Sequence, residues 1–585
     1  MNQFKKIMAG CHTQKKECLH KIYTDKQVYF SSVSSSEQPI EDEKRFHYRE
    51  VSFSFVGTGF RTPERVVLFV WVPASCFTQS KEITKGNTVA YEDWLLRVLS
   101  EPVNELSETL QNNHKDSREK ARFYMQTTSP VVQRRNGCIY AEEKEAFRLR
   151  IDFCFPLING RVVNGKSSHK CMKLLLDMIC DCLYNAEKTN LLEHIRLYER
   201  QKEIQCFLAE NELLAFVADG SILPRQGDTE LPMREAVPFQ SPPGLRTTVH
   251  FSDGTELTGM GIKRGITIIT GSGYSGKSTL LDALEQGIYF HVKGDGREYV
   301  IMEKTACKIY AEDGRYVYAT DISPFFTYVP GNGNIFEFST PHASGSVSQA
   351  VNIVEAVYGG SRCLLIDEDT SATNFMIQDS LMRQFIQNES IIPYTDRIWE
   401  LKEEGISTIL VIGGSSEYLK YGDRILLLED YRVFDRTWQA KEILSAKSEK
   451  TVPSKGNAES DTHRWMMKKM LPSELSCNEF FYSQCVQIDN ARYIKIDDIT
   501  VDVTYMTALV NEEQINSLVW LLEKLLQKTG DSGEDLKTRC DRLIEGLFDG
   551  SLDTVLSADA HQYEFWLEEV RSLDLVMAAV RMRKK

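Results

Sequence analysis

At 585 residues, with 42% hydrophobic and 26% charged positions, the chain is long enough for about three or four domains and has an ordinary globular composition. A formal net charge of −14 excludes a surface that is basic throughout, although a local basic groove stays open. The 14 cysteines form no CxxC pair and no Cys/His cluster at zinc-ligand spacing. No apolar run approaches the ~18 residues that spanning a bilayer needs. Buried reduced thiols in an intracellular protein, cytoplasmic or mitochondrial, are therefore expected, without membrane spans.

In chain order, residues 1–45 read as a polar N-terminal arm with a basic, lysine-based start. Two β-rich runs, "YREVSFSFVG" and "RVVLFVWV", follow, and 93–123 reads as a polar helix. "AFRLRIDFCFPL" alternates like a strand, and "CMKLLLDMICDCLYN" has helical apolar spacing. The segment 224–246 holds five prolines and reads as a linker closing an N-terminal α/β domain over 46–246. Short buried strands then alternate with helices over 247–445, the texture of an α/β sheet covered on both faces. A polar linker at 446–464 leads to a mostly helical domain over 465–585, in which "EEQINSLVWLLEKLLQK" is the clearest amphipathic helix.

Within the central segment, "GITIITGSGYSGKSTLLDALEQG" gives a β-branched strand, then Gly271-x4-Gly276-Lys277-Ser278, then a helix. Glycines let backbone N–H groups wrap a phosphate, and the helix N-terminus adds partial positive charge. In this pattern Gly271, Ser272, Gly273, Tyr274, Ser275, Gly276, Lys277, Ser278 and Thr279 form the nucleotide-binding loop. Lys277 reaches the β- and γ-phosphates, and Ser278 binds Mg²⁺. No NKxD guanine-reading motif follows, which favours ATP over GTP.

"RCLLIDEDTSATNF" then offers a short buried strand capped by Asp367, Glu368 and Asp369. Asp367 is placed to hold the Mg²⁺ water shell opposite Ser278, and Glu368 to act as general base on the attacking water. Ser344-Gly345-Ser346 of "ASGSVSQ" stands 23 residues before Asp367 measured from Ser344, and Ala350, Ile353, Val354 and Val357 after it lie on one helical face. That spacing is similar to the signature loop of ATP-binding-cassette domains. "DEDTSATN" parallels the loop crossing the dimer interface in those domains, and "TILVIGGSSEYLKYGDRILLLEDYRV" their strand, switch, helix and final strand. Departures stand beside the likeness. Gly414 occupies the position of the switch histidine, Ser346 replaces a signature glycine and Asp369 a proline. Only 90 residues separate Lys277 from Asp367. Ser415 or Glu417 is the expected substitute for the switch side chain. Asp321 and Ser323 occupy the region of the usual Mg²⁺-contacting glutamine.

These blocks, with "AFVADGSILPR", "AVPFQSP", "GMGIKRG", "KGDGREYV", "DISPFF" and "VIGGSSEY", resemble the predicted ATPases of the ABC class, soluble proteins with flanking domains of their own. The resemblance runs from about residue 137 through 440. It implies a central P-loop ATPase domain between an N-terminal α/β domain and a mostly helical C-terminal one. It also implies ATP and Mg²⁺ as cofactors, a homodimer, and no transporter subunit. One eukaryotic branch is associated with mitochondrial RNA handling, which makes RNA a candidate partner.

The expected function is a nucleotide-dependent homodimeric clamp in which Glu368 and Lys277 are catalytic. Ser344, Gly345 and Ser346 of one copy close over the ATP of the other. The alternative is an RNA-binding accessory module in which ATP is mainly structural. Its local support is basic: Arg134-Arg135, Arg148 and Arg150, Lys166, His169 and Lys170, Lys263-Arg264, and the tail Arg581-x-Arg583-Lys584-Lys585. Phe251 stands where an adenine-stacking aromatic could sit, with core packing the more economical reading, and Arg297 is suited either to phosphate or to a structural acid.

Overall fold

The computed structural model describes residues 46–57, 65–77, 82–112, 121–158, 162–163, 165–329, 331, 333–378, 385, 388–447, 465, 469, 471, 475, 483–488, 491–527, 534–548 and 566–584. The N-terminal arm expected over 1–45 and residues 448–464 of the linker expected over 446–464 lie outside these residues, while 446 and 447 end the helix Thr437–Lys447. The chain forms two compact units. One comprises Met1–Glu199 with Glu545–Glu569, the other Arg200–Ile544 with Val570–Lys585.

The first unit is built on a six-stranded antiparallel sheet. Its strands are β1 (Phe46–Tyr48), β2 (Val51–Gly57), β3 (Arg65–Pro73), β4 (Arg122–Tyr124), β5 (Cys138–Ala141) and β6 (Ala146–Cys154). Strand β3 is buried along its length and runs against β6 from Arg65↔Cys154 to Pro73↔Ala146. The apolar run predicted there as strand is thus the sheet's centre, as burial on both faces requires. Helix α1 (Thr88–Asn112) packs on β4 and β5 and beside α2 (Gly165–Asn185). Phe77, Tyr91, Trp94 and Phe147 interlock in its core at ring separations between 5.4 and 6.5 Å. Helix α3 (Lys188–Glu210) follows.

The second unit carries two sheets relevant to the site. An antiparallel one joins β7 (Leu213–Ala218), β8 (Arg246–His250), β9 (Glu256–Lys263) and β11 (Val300–Met302), in the order β8-β9-β7-β11. The boundary expected at 246/247 lies inside this unit, because β7 is hydrogen-bonded to both β9 and β11. The other sheet has six strands: β10 (Ile266–Gly271), β12 (Ala306–Ile309), β15 (Cys363–Asp367), β16 (Ser407–Val411), β17 (Arg424–Glu429) and β18 (Arg432–Asp435). Their order is β12-β15-β16-β10-β17-β18, parallel except at the last pair. "ITII", "CLLI" and "TILV" are buried without alternation, as central parallel strands must be when both faces are covered. Helix α4 (Lys277–Gln286) leaves the end of β10. The hairpin β13 (Arg315–Thr320) and β14 (Phe338–Ala343) leads into α5 (Gly345–Tyr358).

Helices α6 (Tyr394–Glu403) and α7 (Thr437–Lys447) complete the segment around this sheet. Farther along the chain come α8 (Glu512–Leu526), α9 (Leu536–Phe548) and α10 (Ser572–Ala579). A four-stranded antiparallel sheet that was not foreseen accompanies these expected helices. Its strands are β19 (Ser483–Ile488), β20 (Ala491–Ile496), β21 (Ile499–Asp502) and β22 (Arg583–Lys584). "YIKI" and "ITVD" alternate around Asp497, held at φ 51, and this is a tight hairpin signal.

Candidate nucleotide site

Strand β10 ends at Gly271, where the chain must pass tightly under β17. A Cβ there would lie 2.2 Å from the Leu428 carbonyl oxygen, and φ is 153°, so only glycine fits. Gly276 at φ 94° then turns the chain into α4. Between them Ser272, Gly273 and Tyr274 are exposed, while Ser275 is buried. Tyr274 is held left-handed at φ 60°, at a cost of roughly 1–2 kcal/mol, and its side chain is fully exposed. The Lys277 ammonium spans the loop, donating to the carbonyls of Gly271 at 3.1 Å and Ser272 at 2.8 Å. Ser278 and Thr279 follow in the first turn of α4.

Parallel strand order brings the acidic strand end to this loop. Strand β15 is two places from β10, separated by β16. The Ser278 hydroxyl donates to Oδ2 of buried Asp367 at 2.9 Å. Oδ1 of Asp367 accepts from the backbone N–H of Asp369 at 3.1 Å, fixing the carboxylate. Among the described residues no group of three His, Cys, Asp or Glu could cage a metal ion. A serine hydroxyl and one carboxylate fit Mg²⁺, which takes its remaining ligands from phosphate and water.

Glu368 is aimed differently. Its Oε2 accepts the backbone N–H of Gly413 at 2.7 Å and that of Gly414 at 3.4 Å. Gly414, where a switch side chain was expected, meets Glu368 through its backbone N–H. Ser415, one of the expected substitutes, instead accepts the N–H of Glu417 at 3.3 Å, and Glu417 pairs with Lys420 at 3.1 Å. The Gly-Gly pair after β16 was the signal for this contact. Burial, with Glu368 beside it, pushes the Tyr418 phenol above its usual range. Asp321 accepts the N–H of Ser323 at 2.9 Å, a local turn.

Ser344 is the exposed N-cap of α5, with φ −72° and ψ 164°, and its side chain makes no capping bond. Gly345 and Ser346 open the helix, and the Ser346 hydroxyl bonds Asn374 Oδ1 at 2.8 Å. Gln349, fully buried, donates to the Ser371 hydroxyl at 2.9 Å and accepts the Ala372 N–H at 2.8 Å. Sequence reasoning missed this link between the start of α5 and the segment after Asp367.

Most basic residues that suggested RNA have internal partners. Arg135 is buried between Asp93 and Glu568, at 2.5 and 2.6 Å. Arg148 lies over Phe69 at 4.7 Å, and Arg150 over Trp566 at 4.0 Å. Arg264 pairs with Glu303 at 2.9 Å, and buried Arg581 with Glu312 at 2.8 Å. The Lys166 side chain and Lys585 lie outside the described residues, while His169 and Lys170 sit near the start of α2. Lys263 is exposed, Arg583 lies over Tyr316 at 5.9 Å, and Lys584 is 3.4 Å from Asp498. Phe251 is buried with Arg200 over its ring at 5.2 Å, and Arg297 donates to the Leu223 carbonyl at 2.8 Å, so both are structural.

Residues 187–464 match the family model of the ABC_ATPase P-loop domain. An uncharacterized protein of Methanocaldococcus jannaschii is 31% identical over 268 residues, 43% of this chain. The chain spans 59% of the length of that curated relative. Among solved structures, cbiO1 of Clostridium perfringens, part of an ABC transporter complex, aligns at 16% identity and a TM-score of 0.24. The alignment covers 40% of this chain and 92% of that one. An ATP-binding cassette of an ABC transporter in its ADP conformation aligns at 12% identity and 0.25, covering 40% and 95%. Among the described residues no helix is long and apolar enough to cross a membrane. From the sequence match and the loop that it contains, the chain carries the P-loop domain of the ABC-class ATPases within residues 187–464.

Proposed function

We propose that this chain hydrolyses ATP and works as a nucleotide-dependent homodimeric clamp. The observation that carries the reading is the meeting of Ser278 with Asp367 at 2.9 Å beside the Gly271–Thr279 loop. In it, the loop's N–H groups and Lys277 hold the phosphates. Ser278 and Asp367 would hold Mg²⁺, which when bound neutralises charge across the β- and γ-phosphates. Glu368, in the next position, accepts the proton of the attacking water. Its carboxylate is oriented by the N–H groups of Gly413 and Gly414.

Closure over the γ-phosphate is assigned to Ser344, Gly345 and Ser346 of a second copy. The free hydroxyl and open N–H groups at the start of α5 suit an anion, and the γ-phosphate is the differential contact a two-state switch requires. The test is nucleotide-dependent dimerisation of Glu368→Gln against wild type. A trapped ATP-bound dimer in the variant supports the clamp. A variant that turns over ATP at the wild-type rate and stays monomeric overturns it.

The alternative of an RNA module with structural ATP loses much of its basis with the internal pairing of Arg135, Arg150, Arg264 and Arg581. Salt-dependent RNA binding together with RNA-stimulated hydrolysis would restore RNA as a partner.

A further inference from the structure

The tail "RMRKK" reads as a nucleic-acid patch, yet its first arginine points into the protein. Arg581 is 5% exposed. Its guanidinium donates to the Met577 carbonyl at 2.7 Å, Glu312 Oε1 at 2.8 Å and Asn352 Oδ1 at 2.9 Å. Asn352 lies on α5 and donates in turn to the same Glu312 oxygen and to the Tyr310 carbonyl, each at 2.9 Å. The backbone N–H of Glu312 donates to the Ser348 hydroxyl at 2.8 Å, and that hydroxyl donates to the Gly345 carbonyl at 2.9 Å. A run of hydrogen bonds passing through Glu312 therefore leads from Arg581 to Gly345, the residue after Ser344.

Ser348, Asn352 and Glu355 share one face of α5, at helical spacing of four and three. Glu355 is fully buried and paired with Arg315 and Lys469, and Lys469 also donates to the Thr320 hydroxyl at 2.7 Å. Burial would raise the Glu355 carboxyl, but the two cations override it and hold it down to about 2. The buried face of α5 is thus a network of charges with specific partners. Such a network fixes register where an apolar face would tolerate sliding.

We propose that Arg581 is a positioning residue for the loop at Ser344, setting the axial position and rotation of α5. The proposal rests on the reading above, in which Ser344–Ser346 meet a γ-phosphate in a partner copy. Its consequence is specific: losing Arg581 should change turnover without changing nucleotide binding at Lys277 and Ser278.

The experiment uses the full-length chain and three variants: Arg581→Met, Arg581→Lys, and Arg581→Met with Glu312→Met. Fluorescent ATP-analogue affinity, kcat, KM and thermal unfolding are measured for each. Expected are nucleotide affinity within about twofold of wild type, kcat down tenfold or more in Arg581→Met, and partial recovery in Arg581→Lys. The double variant removes both charges of the Arg581–Glu312 pair, so it tests the idea even if the single variant folds poorly. It should regain thermal stability while kcat stays low. Recovery of stability and kcat together would make Arg581 merely structural and overturn the proposal. An unchanged kcat in a folded Arg581→Met would overturn it as well. A wild-type chain without turnover would instead overturn the functional reading, and this proposal with it.

Discussion

Ser278 Oγ donates to Asp367 Oδ2 across 2.9 Å, joining the first turn of α4 to the end of β15 over 89 residues of sequence. Asp367 is buried and pinned by the Asp369 N–H, so its free lone pairs point at one place. Asp367→Asn keeps the shape and removes the charge. Mg²⁺ stimulation of hydrolysis should fall roughly 10–100-fold, with metal-free nucleotide affinity unchanged. Titration of Mg²⁺ at fixed ATP checks this.

Glu368→Gln should lower turnover about 10²–10⁴-fold, the range for removing a general base. The amide oxygen of glutamine still accepts from Gly413, so the melting temperature should stay within a degree or two of wild type. A large loss of stability would mean that Glu368 serves the fold.

At Ser344 the expectation separates binding from hydrolysis. The side chain is exposed and makes no capping bond, so Ser344→Arg has little to break within the subunit. Hydrolysis should be abolished, while ATP affinity of the isolated subunit stays within a few-fold. Equilibrium binding with a fluorescent analogue, run beside a turnover assay, separates the two.

Glu92 supplies a pH prediction for the first unit. It is 7% exposed and accepts the Tyr140 N–H at 2.8 Å. Burial pushes its carboxyl up to about 7, against the smaller opposing pull of that N–H. A raised folded pKa means stability fully present below the unfolded value, about 4.5, and lost as pH rises through about 7. The loss is on the order of 3 kcal/mol and is complete above that window. Glu92→Gln should flatten the decline, leaving the variant more stable than wild type at pH 8 and little changed at pH 4.5. Hydrogen exchange of peptides spanning 138–154, compared between the two proteins at each pH, reads the difference.

Much of the candidate nucleotide site is legible in the sequence because its parts are local. A β-branched run, glycines at fixed offsets and a helix start specify the Gly271–Thr279 loop within a few residues. Central parallel strands are apolar throughout, so β10, β15 and β16 announced themselves, and Asp367 was visible as the polar residue ending one of them. The N-terminal strands and α2 and α8 followed from periodicity alone. The sheet formed by β19, β20 and β21 was less legible, because its short alternating strands stand beside the stronger helical signal of α8.

The apolar stripe of α5 lies on one helix face, with Ala350, Ile353 and Val354 buried and Val357 half-buried, and the helix is buried on its polar face too. Sequence alone determined that a phosphate loop, an acidic strand end and a helix after Ser344 exist, since each is written in adjacent residues. Tertiary structure decided what they touch: Gly413 on Glu368, Gln349 on Ser371, and Arg581 on Asn352 and Glu312. A polar residue's partner lies across the fold, and a charge reads the same in sequence whether water or a buried carboxylate satisfies it.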